Sequence, residues 1–139
     1  MDYKELVKMA LEAREMSYSP YSNFKVGAAL LTKNGKVYKG CNIENAAYSP
    51  GNCAERTAIF KAVSEGEKDF VAIAIVGGHV DNDELTICPP CGVCRQVINE
   101  FVDCEEFDIV LGTNKPIDMK VFKLKELLPL GFGPRDLAK

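Results

Sequence analysis

Apolar positions along the chain change period several times, and each change marks a structural element. Leu6, Met9, Ala10, Ala13 and Met16 recur at three- and four-residue intervals, with Lys4, Glu5, Lys8, Glu12 and Arg14 mostly on the other side. That is the stripe of an amphipathic helix. Ser19-Pro20-Tyr21-Ser22-Asn23 interrupts it with turn-forming residues. Residues 24–32 and 36–41 read as two strands joined across Asn34-Gly35, a dipeptide suited to a tight hairpin. A loop over 42–52, containing Pro50-Gly51, leads to a second helix with Ala54, Ala58, Ile59, Ala62 and Val63 inward and Gly66 at its end.

Residues 71–76 are apolar at every position, as in a central strand covered on both faces. A loop over 77–90 ends in Pro89-Pro90, which suits the entry to a third helix with Val93, Val97, Ile98 and Phe101 inward. Residues 108–111 form a short strand and 119–124 a further candidate, and Leu127-Leu128-Pro129 suggests a helical turn before the C-terminal tail. A hairpin followed by alternating strands and helices predicts an α/β protein, a three-layer α-β-α sandwich around a mixed sheet of about five strands. With 139 residues and no repeat or long linker, a single domain over 1–139 is expected.

Composition adds exclusions. The chain is 47% hydrophobic and 27% charged, an ordinary globular balance. Its net charge is −3, with 17 basic and 20 acidic residues interspersed, so no basic stripe advertises a nucleic-acid partner and a small-molecule substrate is favoured. No apolar run approaches the roughly 20 residues a membrane helix needs. The charged start Met1-Asp2-Tyr3-Lys4-Glu5 lacks a signal-peptide core, so a cytoplasmic protein without membrane partners is expected. The single histidine, His79, falls in a Gly-rich stretch and is expected to face solvent.

The cysteines change the picture most. In a reducing compartment disulfides are not needed, and Cys88, Cys91 and Cys94 lie at three-residue intervals with Cys53 35 residues upstream of the first. Cys91 and Cys94 on one helical turn stand about 5–6 Å apart at Cβ, close enough for both sulfurs to reach one ion. Thiolates at about 2.3 Å in a tetrahedron suit Zn²⁺. Upstream, Cys53-Ala54-Glu55 puts a carboxylate two residues after a cysteine. In mid-helix these point apart; only at a first turn can they share a site. Alone, Glu55 reads equally as an acid complementing a helix dipole. A rival ligand set also exists: Cys53, Cys88, Cys91 and Cys94 could close a four-thiolate structural site with no position for water. Two prolines holding Cys88 in extended backbone, and the absence of a role for Glu55, argue against it. Cys41 and Cys104 read as structural.

Together these motifs resemble the zinc nucleoside and nucleobase deaminases, in which a non-ligand glutamate moves protons. Within that class the chain is similar to the small, homotetrameric cytidine deaminases. The likeness is carried by Phe24-Lys25-Val26-Gly27-Ala28, Asn42-Ile43-Glu44-Asn45, Cys53-Ala54-Glu55-Arg56, Pro90-Cys91-Gly92-Val93-Cys94-Arg95-Gln96, and Leu127-Leu128-Pro129 with Phe132. The resemblance implies one Zn²⁺ per chain on Cys53, Cys91 and Cys94. It implies hydrolysis of cytidine and 2′-deoxycytidine by metal-activated water at C4, with Glu55 as proton shuttle. Asn42 and Glu44 would meet the ribose, Phe24 and Ala54 the base, and Arg56 would offset thiolate charge. Tyr48 and Phe132 would complete a neighbouring subunit's pocket in a homotetramer.

Taken without the family, Asn42 and Glu44 are a polar loop, Phe24 is as fit for a core, and Arg56 for a surface salt bridge. Gly133-Pro134-Arg135 departs from the family's usual small-residue pattern beside Phe132. A deaminase of another cytosine-like nucleoside or antibiotic, and a non-catalytic zinc domain that uses metal only to fold, remain open readings.

Overall fold

The computed structural model describes residues 1–138. Five strands form one sheet: β1 (Phe24–Thr32), β2 (Val37–Cys41), β3 (Phe70–His79), β4 (Asp108–Leu111) and β5 (Lys120–Lys123). Their order is β2-β1-β3-β4-β5, with β3 and β4 parallel and the other pairs antiparallel. Side chains alternate across a strand, so each strand feeds two layers. Ala28, Leu30, Ile73, Ile75, Ile109 and Leu111 pack on one face with α2 (Ala54–Ser64) and α3 (Gly92–Phe101). Ala29, Leu31, Ala72, Ala74, Val76 and Val110 pack on the other with α1 (Tyr3–Arg14). Burying these aliphatic side chains is worth about 1.5–3 kcal/mol each before entropy is counted. The expected three-layer α/β architecture with a mixed five-stranded sheet is present.

Strand directions put the site at one edge of the sheet. β2 and β3 both run antiparallel to β1, so both end at the edge where β1 begins; Phe24 pairs with His79, and Gly27 with Cys41. The chain leaving β2 there enters α2, and the chain leaving β3 enters α3. Two helix N-termini therefore meet above the carboxyl ends of their strands, the customary ligand position of open α/β sheets. Gly40 brings α2 close to the sheet: a Cβ there would lie 2.5 Å from the Ala54 carbonyl oxygen and from the Ala58 nitrogen.

Several expected details differ. Met16 lies beyond α1 and is 77% exposed, and Val7 fills the layer instead. Val93 is 57% exposed because Cys94, one position on, turns inward and sets the phase of α3. Pro89 and Pro90 precede the α3 cap, Cys91, rather than opening the helix. β3 continues through Gly77, Gly78 and His79, where a loop was expected, and half-buried His79 lies 3.5 Å from Asp81. β5 is shorter than residues 119–124, because Leu124 begins α4 (Leu124–Leu127), so the expected turn starts earlier. The tail adds α5 (Pro134–Leu137). Among the described residues, no helix is long and apolar enough to cross a membrane.

Candidate active site

Cys53 is the N-cap of α2, with extended backbone at φ −78° and ψ 156°; Cys91 caps α3 at φ −66° and ψ 166°. A cap residue leaves the helical path, which lets its side chain fold over the first turn. That geometry resolves the spacing problem, because Cys53 and Glu55 meet where regular helix has only begun. The Cys53 side chain makes no capping hydrogen bond to α2, whereas the Cys91 sulfur accepts from the Cys94 N–H at 3.5 Å. Cys94, buried in the first turn of α3, completes a trio whose sulfurs all lie within 4.8 Å of one another. Cys53 Sγ and Cys91 Sγ are 3.8 Å apart. A zinc–sulfur tetrahedron with bonds of about 2.3 Å has sulfurs about 3.8 Å apart, so this pair already has the required spacing. Cys88 is outside the trio.

The surroundings suit anionic sulfur. Arg56 Nη2 donates to Cys53 Sγ at 3.2 Å, and its buried Nε has no partner among the described residues. Thiolates next to a guanidinium and helix N-termini need a cation to balance them, and soft sulfur donors select zinc over oxygen-loving metals. Hydrogen bonding from Cys94, then Arg56, brings the Cys53 thiol down to about 5, while Cys94, donating to it, is pushed up. One thiolate sharing a neighbour's proton is what three close thiols do before a metal displaces those protons. Burial raises Cys88 to about 11, as for a thiol with no cation beside it. Two polar clamps hold the caps. The Thr57 hydroxyl lies 3.0 Å from the Cys41 carbonyl and 3.1 Å from that of Cys53. Arg95 donates to the Pro90 carbonyl at 2.8 Å and the Leu127 carbonyl at 2.7 Å.

Glu55 is 4% exposed. Burial raises its carboxyl to about 7, with a contribution from the Cys53 charge and opposition from its own backbone N–H, Cys94 and Arg56. A group that titrates near neutrality, beside a metal-ligating trio, has the profile of a general acid–base.

Cys53, Cys91, Glu55 and Arg56 line a cavity of about 540 Å³, within the range of small-molecule sites, while Cys94 is buried outside its lining. Asn42, Glu44, Tyr48 and Ala54 line it too. The Asn42 Oδ1 accepts from the Val26 N–H at 2.9 Å and from the Ser17 hydroxyl, and Nδ2 donates to the Phe24 carbonyl at 2.8 Å. One Nδ2 hydrogen is left over. Phe24, 39% exposed, shares a face of β1 with Val26, which lines the cavity. Phe132 stands apart, 58% exposed, its carbonyl accepting from Gln96 and Asn99 at 2.8 Å each. Tyr48 lines its own chain's cavity yet is 90% exposed.

Residues 1–110 match the family model described as the cytidine and deoxycytidylate deaminase zinc-binding region. The chain belongs to this family. It is 50% identical to the cytidine deaminase of Halalkalibacterium halodurans over 137 residues, covering 99% of this chain and 98% of that one. It is 49% identical to the cytidine deaminase of Sporosarcina psychrophila over 138 residues, covering 99% and 96%. The crystal structure of cytidine deaminase from Burkholderia pseudomallei has a TM-score of 0.84 and 47% identity, covering 95% of this chain and all of that one. Thus the chain is a member of a zinc-dependent deaminase family, with Cys53, Cys91 and Cys94 placed to bind one metal ion. The matched region contains the cysteine trio, Glu55, Asn42 and Glu44 but stops short of Phe132.

Sequence reasoning did not single out Tyr21, Ser22, Asn52 or Val26, all of which line the cavity. Val26 could have been found from Phe24 by strand period. The turn residues Tyr21 and Ser22 carry no such periodic signal.

Proposed function

We propose that the chain, acting as one domain over residues 1–139, hydrolyses cytidine and 2′-deoxycytidine to uridine and 2′-deoxyuridine with release of ammonia. The observation that carries this is a trio of close thiols, two of which, Cys53 and Cys91, share the wall of one nucleoside-sized cavity with the buried Glu55 carboxyl. Cys53, Cys91 and Cys94 hold Zn²⁺, which when bound supplies the Lewis acidity that makes water nucleophilic at neutral pH. Glu55 takes a proton from the attacking water and gives it to N3 of the ring. It then takes the second proton from the hydroxyl now on C4 and delivers it to the amino group, which leaves as ammonia as the C4 carbonyl forms. A carboxyl whose pKa lies near the working pH can run both halves of that cycle. The Arg56 guanidinium holds negative charge on Cys53 and so keeps that sulfur a ligand.

Asn42 and Glu44 receive the sugar hydroxyls, while Phe24 and Ala54 flank the base. The protein works as a homotetramer in which Tyr48 and Phe132 reach a neighbouring subunit's pocket. Support for this comes from the exposure of both residues and from Phe132 not being among those that line its own chain's cavity. Its place is pyrimidine salvage in the cytoplasm, acting on free nucleosides rather than nucleic acid. The test is to measure zinc per chain and follow the ultraviolet absorbance of cytidine. Stoichiometric zinc with unchanged absorbance overturns the assignment. Turnover confined to another cytosine-bearing nucleoside moves the substrate within the class.

A further inference from the structure

We propose that Ser22 is a positioning residue for the sugar half of the site, setting both the Glu44 carboxylate and the start of β1 through one hydroxyl. Ser22 Oγ accepts from the Phe24 N–H at 3.0 Å and donates to Glu44 Oε2. An ionised carboxylate can only accept, so the single hydroxyl proton is directed at it while a lone pair takes the Phe24 N–H. The other oxygen, Oε1, accepts from the backbone N–H groups of Tyr21 at 3.0 Å and Ser22 at 3.1 Å. Asn23, with φ 56°, takes the left-handed turn next to them, and its N–H donates to the Ser19 carbonyl at 3.0 Å. Asparagine tolerates that conformation better than most residues.

A carboxylate offers about four lone-pair positions. Three are occupied here, so Glu44 presents one directed acceptor to the cavity that Ser22, Asn42 and Glu44 line together. Glu44 is held below the usual carboxylate range, chiefly by the Ser22 hydroxyl, which keeps it ionised and accepting. Without that hydroxyl, Oε2 loses its tether and the carboxylate can rotate about the axis left by Oε1. The same loss frees the Phe24 N–H at the edge where the base would pack. A hydrogen bond to a charged group, once made, is stronger than a neutral one, so the aim of this acceptor matters for a vicinal diol.

This inference rests on the reading of Glu44 as the sugar contact, and the experiment separates the two. Steady-state kinetics of the zinc-loaded enzyme are measured with cytidine and with 2′,3′-dideoxycytidine, the latter as substrate or as competitor of cytidine turnover. Ser22→Ala, Ser22→Thr and Glu44→Ala are compared with the parent. Ser22→Ala is expected to raise KM for cytidine about tenfold, the loss falling on KM rather than kcat. Its affinity for the dideoxy analogue should change less than about twofold, and Ser22→Thr should restore cytidine KM. If Ser22→Ala weakens both nucleosides equally, or neither, while Glu44→Ala erases their difference, Ser22 does not position Glu44. If Glu44→Ala keeps the parent's discrimination, the sugar assignment of Glu44 fails and the inference falls with it.

Discussion

Replacing Glu55 by glutamine separates the stability the buried carboxyl costs from the proton transfer proposed for it. In the fold its pKa rises from 4.5 to about 7, chiefly through burial. A difference of roughly 2.5 units at 1.36 kcal/mol each sets a ceiling of about 3 kcal/mol. At low pH the carboxyl is neutral whether the chain is folded or not, and the fold bears no penalty. As pH rises past 4.5 the unfolded chain ionises first, so it binds fewer protons than the folded one and stability falls. Above about pH 7 both states are ionised and the full penalty remains. Glutamine keeps the shape without the charge, so Glu55→Gln should be more stable than the parent, by an amount that grows between these pH values.

Thermal unfolding of metal-free protein at about pH 4.5, 6 and 8 measures this. At several degrees per kcal/mol for a chain of this size, the variant should melt up to about 10 °C above the parent at the highest pH and match it at the lowest. In zinc-loaded preparations the variant should retain zinc and lose about 10²–10⁴-fold in turnover. Equal melting temperatures at about pH 8, or a gap independent of pH, would refute the electrostatic reasoning. Near-normal turnover would remove Glu55 from the chemistry.

Cys88→Ser should leave zinc stoichiometry unchanged and Cys94→Ser should abolish it, read by metal analysis after gel filtration; loss of zinc in Cys88→Ser would revive the four-thiolate site. Gly40→Ala puts a methyl 2.5 Å from the first turn of α2. It should cost about 1–3 kcal/mol in denaturant unfolding and weaken zinc binding by shifting Cys53. A variant with parental stability and zinc affinity would mean the close approach does not hold the cap in place.

The layers were legible because period and burial agree. Residues 71–76 are apolar throughout, and 72–76 are buried on both faces of β3 while Val71 near its start is exposed; Ala58, Ile59 and Ala62 are buried as their spacing implies. The zinc trio was legible because metal chemistry restricts both residue type and spacing. Other features depend on contacts made far along the chain. Gly77 and Gly78 read as loop, yet a Cβ on Gly77 would lie 2.9 Å from Cys88 Sγ and 3.0 Å from Val26 Cγ2. Glycine is there for close packing within a strand, a need set by a thiol 11 positions away. Val93 fits an apolar stripe, but the inward-facing Cys94 decides the phase, and no hydrophobicity pattern ranks a thiol above a valine. The grip of Tyr21 and Ser22 on Glu44 is a turn conformation, visible only once Asn23 is seen at positive φ.

Helix caps carry this chemistry, and the reason is electrostatic. Three thiolates and one Zn²⁺ sum to −1, a poor Lewis acid unless the protein returns positive charge to the sulfurs. The N–H groups at the starts of α2 and α3 and the Arg56 guanidinium supply it. The same cap that turns Cys53 toward the metal puts Glu55 in the first turn, in a buried position where its charge is disfavoured. The desolvation that raises its pKa toward neutrality is the term that weakens the fold at alkaline pH. In the proposed reaction, exposing the carboxyl to recover stability would lower its pKa and leave it unable to return a proton to the leaving amine. At Glu55, stability and the proposed proton transfer are therefore set by one quantity and cannot be improved independently.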